Sequence, residues 1–487
     1  LFTPPVKAIL PNILARLKMR NLVLSLLVFI TLGVTGVLAQ QALVYGTAAD
    51  YAGTELVFYT YSDYITLTEV EIGRCRVKAN GNFEGSVKVL ETTYVFSHLG
   101  IYRIYFFAEP GKRYQLVLPA REEKTEAQRL SPFFRETDLQ VGVANISQSD
   151  INFLVNAFDI RFNAHFDQIV ADTYRGKSQN VDSLINVMEE KFKNEPNSYF
   201  KAYREYRYGL LRQVTLSRKS SGISNELFLN KPILYSNPSY MELFNLVYDK
   251  YFMFFSRTST GNAIFSTISQ EKSLTQLKKL LATNTVLSND TLMELVILKS
   301  LYDEFFSSNF SRSALLTLLD SVYRTTQIPE HAIIAENIRS RITKLLPGFV
   351  PSPFKLKDVN GHEVTLDQLE GKYVYLNFCT TTSYTCLQDF SLLEKIYRKY
   401  RKKLEIVTIS ADMEKKDLES FLKTTGYSWT FLHFGEKPDV IKDFDVRAYP
   451  TYFLIGPDRK IILSPAPSPR EGFEQRFFEL LRSRGEI

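Results

Sequence analysis

The feature that most restricts the fold is an alternation of strand-like and helix-like segments over residues 353–463. Runs rich in β-branched and aromatic residues, YVYLNF (373–378), LEIVTIS (404–410), YFLI (452–455) and KIIL (460–463), predict strands, with a further one near 429–433. Between them, residues 386–401 and 415–425 carry a helical period. Strands that alternate with helices in this way require a parallel or mixed sheet covered by helices. Asn360-Gly361 marks a hairpin turn, Gly371-Lys372 the boundary before the YVYLNF strand, and Gly456-Pro457-Asp458 a turn before the last strand. Pro347-Gly348 and Pro351-Ser352-Pro353 form a linker, so residues 347–487 read as one domain.

A chain of 487 residues is too long for one ordinary core, and two or three domains are expected. Residues 42–146 carry the strand signals LVFYTY (56–61), TLTEVEIG (66–73) and IYRIYFFAEPG (101–111). Turns fall at Asn80-Gly81-Asn82, Gly100 and Pro110-Gly111, and the segment is expected to be an antiparallel β-sandwich. Residues 148–346 switch to helical spacing and predict an all-α domain. Tyr240, Leu243, Phe244, Val247, Tyr251 and Phe254 fall on one face of a single helix over 240–254. Asn197 and Ser198, behind Pro196, predict the cap of a helix carrying Tyr199, Tyr203 and Leu210. Segments 292–305, 312–323 and 329–345 read similarly, and no fixed-length repeat is evident.

Residues 1–39 read as an upstream extension and a signal peptide. An uncharged apolar run (22–38) follows Arg20, and Val37 and Ala39 suit the −3 and −1 positions of a signal-peptidase site. This predicts export to the periplasm with cleavage near Ala39 and no integral membrane span afterwards; Met19 is the expected start. Hydrophobic content of 45% and charged content of 23% are those of a soluble globular chain. A net charge of +6, with no basic run interleaved with aromatics, argues against a nucleic-acid partner. Three cysteines (Cys75, Cys379 and Cys386) do not make a disulfide framework, and Cys75 at a strand end reads as a packed small hydrophobe. The five histidines lie far apart, so no metal site is expected, and no cofactor is implied.

The segments PFKLKDVNGHEVTLDQLEGKYVYLNF (353–378) and YPTYFLIGPD (449–458), in this order of elements, resemble the TlpA-like, AhpC/TSA-type thioredoxin-fold family of exported thiol-disulfide oxidoreductases. The phrases ANGNFEGSVKV and FFAEPGKRYQLVL resemble the β-domain often placed ahead of such domains in large exported proteins. The resemblance implies a C-terminal α/β thioredoxin-like domain. It also implies a cis peptide at Pro450 beside the active site, where Tyr449 and Pro450 would hold an extended peptide through backbone hydrogen bonds. The family carries Cys-x-x-Cys at the start of the helix after the central strand. The helix N-terminus favours thiolate at the first Cys, which attacks a disulfide, and the second resolves the mixed disulfide.

Counting from Phe378, Ser383 takes the attacking position here and Cys386 the resolving one, while Cys379 and Thr382 stand where the family usually carries tryptophan. A serine hydroxyl with no base beside it in sequence is a poor nucleophile for sulfur, so Ser383 and Cys386 cannot cycle as a dithiol. Three readings of the remaining sulfur follow. Cys386 acts alone as a single-cysteine thiol-disulfide oxidoreductase or peroxidase, in a Ser-x-x-Cys pattern similar to that of peroxiredoxins, with Cys379 where those enzymes have proline. Alternatively Cys379 and Cys386 form a disulfide or redox pair across the turn, or Cys386 is a buried remnant. The last favours a binding or assembly module with a protein or peptide partner in the cell envelope. Asn377 and Trp429 read as buried structural residues and Arg447 as an exposed strand-end arginine.

Overall fold

A computed structural model describes residues 41–487 apart from 132, 145, 178–179 and 436–437. The segment read as a signal peptide lies outside these residues. Two compact units are present. The first takes the described residues up to Glu122 together with Thr137–Ile334, and the second takes Glu123–Glu136 together with Ala335–Ile487. Among the described residues, no helix is long and apolar enough to cross a membrane.

In the first unit nine strands form two sheets among the described residues. They are β1 (Gln41–Thr47), β2 (Glu55–Asp63), β3 (Thr68–Arg76), β4 (Asn82–Lys88), β5 (Thr93–Leu99), β6 (Tyr102–Ala108), β7 (Arg113–Val117), β8 (Thr137–Gln140) and β9 (Gly142–Ala144). One sheet has the order β4-β1-β7-β9 and the other β3-β2-β5-β6-β8. Both are mixed, which corrects the expected antiparallel sandwich. β1 pairs parallel to β7 and β6 parallel to β8, because in each case the chain returns to the same edge after a long excursion instead of a hairpin. Phe58, Phe83, Phe106 and Tyr114 fill a buried core to which both sheets contribute. Cys75 belongs to that core, and burial pushes its thiol up to about 11.

The alternation along β6 explains why its sequence looks apolar throughout. Phe106 points into the core between the sheets, whereas Phe107 points the other way into a cluster made by helices. Those helices are α1 (Ile151–Tyr174), α2 (Val181–Glu189) and α3 (Ser198–Val214). Asn152 locks the junction, with its Oδ1 accepting the Phe107 N–H at 2.7 Å and its Nδ2 donating to the Phe107 carbonyl at 2.9 Å. Strand β6 is thereby covered on both faces, and the strands and the helices that follow form one unit.

The expected cap on α3 is present, since the Asn197 side chain accepts from the Phe200 N–H at 2.9 Å. The single helix expected over 240–254 is instead two, α4 (Pro238–Val247) and α5 (Tyr251–Ser256). Lys250 breaks the period with a left-handed φ of 47°, and Phe254 is thereby turned out to solvent. Further helices are α6 (Leu274–Leu281), α7 (Asp290–Glu304), α8 (Arg312–Thr325) and α9 (Pro329–Thr343).

The second unit is built on a sheet of order β11-β10-β14-β13-β12-β15-β16. Its strands are β10 (Lys355–Asp358), β11 (Glu363–Thr365), β12 (Tyr373–Cys379), β13 (Leu404–Ser410), β14 (Thr430–His433), β15 (Thr451–Ile455) and β16 (Ile461–Leu463). Every residue of β12 is buried, as a central strand covered on both faces requires. Tyr373, Tyr375 and Cys379 face one core, and Val374, Leu376 and Phe378 face the other. Helices α10 (Tyr384–Tyr400) and α12 (Phe473–Ser483) pack on the Cys379 face, together with Leu418 of α11 (Lys415–Thr425). Register then sets the end of the sheet, with Cys379 beside Ser410 on one side and Phe378 beside Thr451 on the other.

Candidate active site

Cys379 is the last residue of β12, and four residues later Ser383 caps α10. Serine is a favoured N-cap because its oxygen satisfies a free amide of the first turn. Here Ser383 Oγ accepts from the Cys386 N–H at 3.4 Å, so the residue in the attacking position serves the helix. The turn is held from below by Asp412. Its Oδ1 accepts from the Thr381 N–H at 2.8 Å and from the Thr381 hydroxyl at 3.0 Å, while Ser410 donates to Oδ2 at 2.6 Å.

The turn brings Cys379 and Cys386 together as free thiols, 1% and 0% exposed. Hydrogen bonding from Cys379 lowers the Cys386 thiol to about 7; burial opposes this, and Ser383 and the Thr380 backbone add to the lowering. Burial pushes Cys379 well up, and its hydrogen bond to Cys386 raises it further. Of the two thiols, Cys386 is therefore the one favoured to ionise, while Cys379 is held protonated as its hydrogen-bond donor. Pro450 follows a cis peptide from Tyr449, as the resemblance implied; a second cis bond, Ser464–Pro465, had no signal in the sequence. Tyr449 is half-buried beside the sulfurs, its phenol raised by burial and then by the nearby Cys386 charge.

Behind the sulfurs lies a polar group that sequence reading missed. Asp389, fully buried, follows Cys386 by three residues, just under one turn of α10. Its Oδ1 accepts from Arg470 Nε at 2.6 Å and its Oδ2 from the Tyr452 hydroxyl at 2.8 Å. Arg470 also donates to Gln388 Oε1 at 2.7 Å. An acidic residue among Cys386, Phe390, Leu393 and Ile396 on a buried helix face was the available signal for Asp389. Arg470, 81 residues further along, had none.

The other residues singled out in the sequence lie where a structural role places them. Trp429 is buried and donates to Thr408 Oγ1 at 2.9 Å. Asn377 is fully buried; its Nδ2 donates to the Val407 carbonyl at 3.2 Å, and its Oδ1 has no partner. Arg447 is exposed, pairs with Asp445 at 2.9 Å and lies 5.0 Å over the Phe133 ring. Among the described residues, no group of three His, Cys, Asp or Glu side chains is placed to hold a metal ion.

Residues 350–464 match the AhpC/TSA family. Over 130 residues, 26% of this chain, the protein is 28% identical to the thiol-disulfide oxidoreductase ResA of Bacillus subtilis, of which the match covers 72%. ResA of Bacillus thuringiensis (strain Al Hakam) is 30% identical over 130 residues, 26% of this chain and 71% of that relative. The thioredoxin-like protein YneN of Bacillus subtilis is 32% identical over 105 residues, 21% of this chain and 61% of that relative. With β12 central, α10 opening at Ser383 and the cis-proline beside it, the chain belongs, through its C-terminal domain, to the AhpC/TSA family of thioredoxin-fold proteins.

Proposed function

We propose that this is an exported, periplasmic protein whose thioredoxin-like domain binds a protein or peptide partner and does not catalyse dithiol–disulfide exchange. The carrying observation is the placement of Ser383 as a helix cap in the attacking position, with both neighbouring sulfurs buried. An incoming disulfide meets a hydroxyl, and oxygen at that position cannot form the mixed disulfide. The surface around it supports recognition. Tyr384 and Leu387 on the first turn of α10, and Met413 beyond β13, are large apolar side chains exposed near the Tyr449–Pro450 turn's end of the sheet. Such exposed groups favour a partner, and backbone at Tyr449 and Pro450 offers the extended-peptide mode. Within the same proposal, residues 42–146, 148–346 and 347–487 are the β, helical and thioredoxin-like segments.

One observation favours a second reading. Cys386, lowered to about 7 with Cys379 as its hydrogen-bond donor, has the ionisation of a reactive thiol. In that case the two thiols become one disulfide while a substrate disulfide becomes two thiols, a balanced exchange of two electrons and two protons. Insulin or glutathione-disulfide reduction by the purified protein separates the readings. The binding reading expects no turnover above that of Cys386→Ala. Turnover that this substitution abolishes would overturn it and establish the exchange reading.

A further inference from the structure

Residues 395–403, KIYRKYRKK, carry six Lys or Arg in nine positions. The run interleaves cations with tyrosines, contrary to the expectation that no such run exists, but the fold separates the two. Tyr397 and Tyr400 pack against the Cys379-side core, Tyr397 with its ring centroid 6.3 Å from that of Trp429 and Tyr400 at 5.4 Å from that of Phe477. Lys395, Arg398, Lys399, Arg401 and Lys402 are all exposed. Rings held in this way offer bases little to stack on, and single-stranded nucleic acid is bound on stacking platforms. What reaches solvent is a stripe of cations along the last two turns of α10 and the turn that follows.

The stability of the helix does not call for so many charges. The helix dipole favours cations in the last turn, where Arg398 and Lys399 lie, and these two are paired with Glu394 at 2.5 Å and Glu474 at 2.6 Å. Lys395 stands a turn earlier, and Arg401 and Lys402 stand beyond the helix. Among the described residues these three have no acidic partner. Lys395 and Lys399 are moreover like charges at i and i+4, a spacing that destabilises a helix. Lys372 and Lys403 lie at the same end of the sheet, before β12 and β13, but are spoken for by Glu405 at 3.3 Å and Glu486 at 3.8 Å. The surplus therefore comes from Lys395, Arg401 and Lys402. It sits at the far end of α10 from Ser383, about 25 Å away along the helix.

We propose that this basic face docks the thioredoxin-like domain on an anionic lipid bilayer. The inference rests on the reading of the chain as exported, which sets it beside a membrane of the cell envelope. An array of lipid phosphates complements a convex stripe of separate cations, each of which adds its own attraction close to the charged surface. Docking by this end leaves Tyr384 and Leu387, at the opposite end of α10, open to the partner.

Co-sedimentation of the full chain with vesicles tests this, using phosphatidylcholine alone and phosphatidylcholine with about a third phosphatidylglycerol. The protein should bind the anionic vesicles and not the neutral ones, and should be released between roughly 0.05 and 0.5 M salt. Joint reversal of Lys395, Arg401 and Lys402 to Glu should weaken binding about a hundredfold or more. Reversal of Lys78, Lys88 and Lys201, exposed lysines of the first unit, changes the net charge equally and should leave binding in place. A thermal melt of each variant reports that it is folded. Absence of binding to the anionic vesicles, equal binding to the neutral ones, a single-stranded oligonucleotide bound in place of vesicles, or equal effects of the two reversals overturns the proposal. Vesicle binding in vitro depends neither on export nor on the sulfurs, so its failure and the failure of the reading above are told apart.

Discussion

Asp389 places a fully buried negative charge just under one turn from the Cys386 sulfur, and that charge opposes ionisation of the thiol. Arg470 at 2.6 Å offsets it. The two members of the ion pair should therefore act on Cys386 in opposite directions. Asp389→Asn removes the opposing charge and should bring the thiol below about 7, whereas Arg470→Gln leaves that charge uncompensated and should raise it. Ultraviolet thiolate absorbance between roughly pH 5 and 9 reads this directly. Cys75, at about 11, and Cys379, pushed well up by burial, stay protonated across that window. A shift of both variants in the same direction would reduce Asp389 and Arg470 to packing residues. The motif around Cys386 was legible because Ser383 and Cys386 can be counted from the end of a strand. Asp389 was legible in principle, as a charge on an apolar helix face. Arg470 was not, because only the fold brings its turn against α10.

At the scale of elements, one carboxylate joins helices α6 and α7 to the first turn of α9, the part of α9 that belongs to the first unit. Glu294 of α7 accepts from Lys278 of α6 at 2.5 Å and meets His331 Nδ1 of α9 at 2.9 Å, while Thr326, just past α8, donates to it at 2.5 Å. His331 Nε2 in turn meets the Tyr235 hydroxyl at 2.7 Å. Burial alone would raise the Glu294 pKa, but hydrogen bonds from His331, Lys278 and Thr326 outweigh it and hold the group at about 2. A carboxyl lowered on folding stabilises the fold above its unfolded pKa near 4.5, and loses that contribution as pH falls from there towards 2. Glu294→Gln should cost about 3 kcal/mol at neutral pH, measured by urea unfolding, and should flatten the decline of stability below pH 4.5. None of this network is visible in the helical periods, which record only which face is apolar. Those periods located α3, α7, α8 and α9 but ran α4 and α5 together. Lys250 has the left-handed φ usually taken by glycine, and a lysine gives no warning of a break.

For the molecule as a whole, each unit keeps its own apolar clusters. One of the C-terminal clusters centres on Tyr375, Phe390, Leu393 and Phe477. Leu393→Ala, at a fully buried position, should cost about 2–5 kcal/mol. In scanning calorimetry we expect two transitions, with the substitution lowering the midpoint of one and leaving the other in place; a single transition that shifts as a whole would contradict this. The C-terminal fold was legible because its strand and helix signals alternate at short range, from YVYLNF at 373 to KIIL at 463. The mixed pairing of the N-terminal sheets was not, since β1–β7 and β6–β8 depend on long returns of the chain that leave no local pattern. Nor did any pattern assign Glu123–Glu136 to the second unit. That assignment bears on how the protein is made. The segment leaves the ribosome about 200 residues before Ala335, the start of the unit's main part, does. At about 5–20 residues per second it waits roughly 10–40 seconds for its partners, the interval in which Thr137–Ile334 of the first unit are themselves being made.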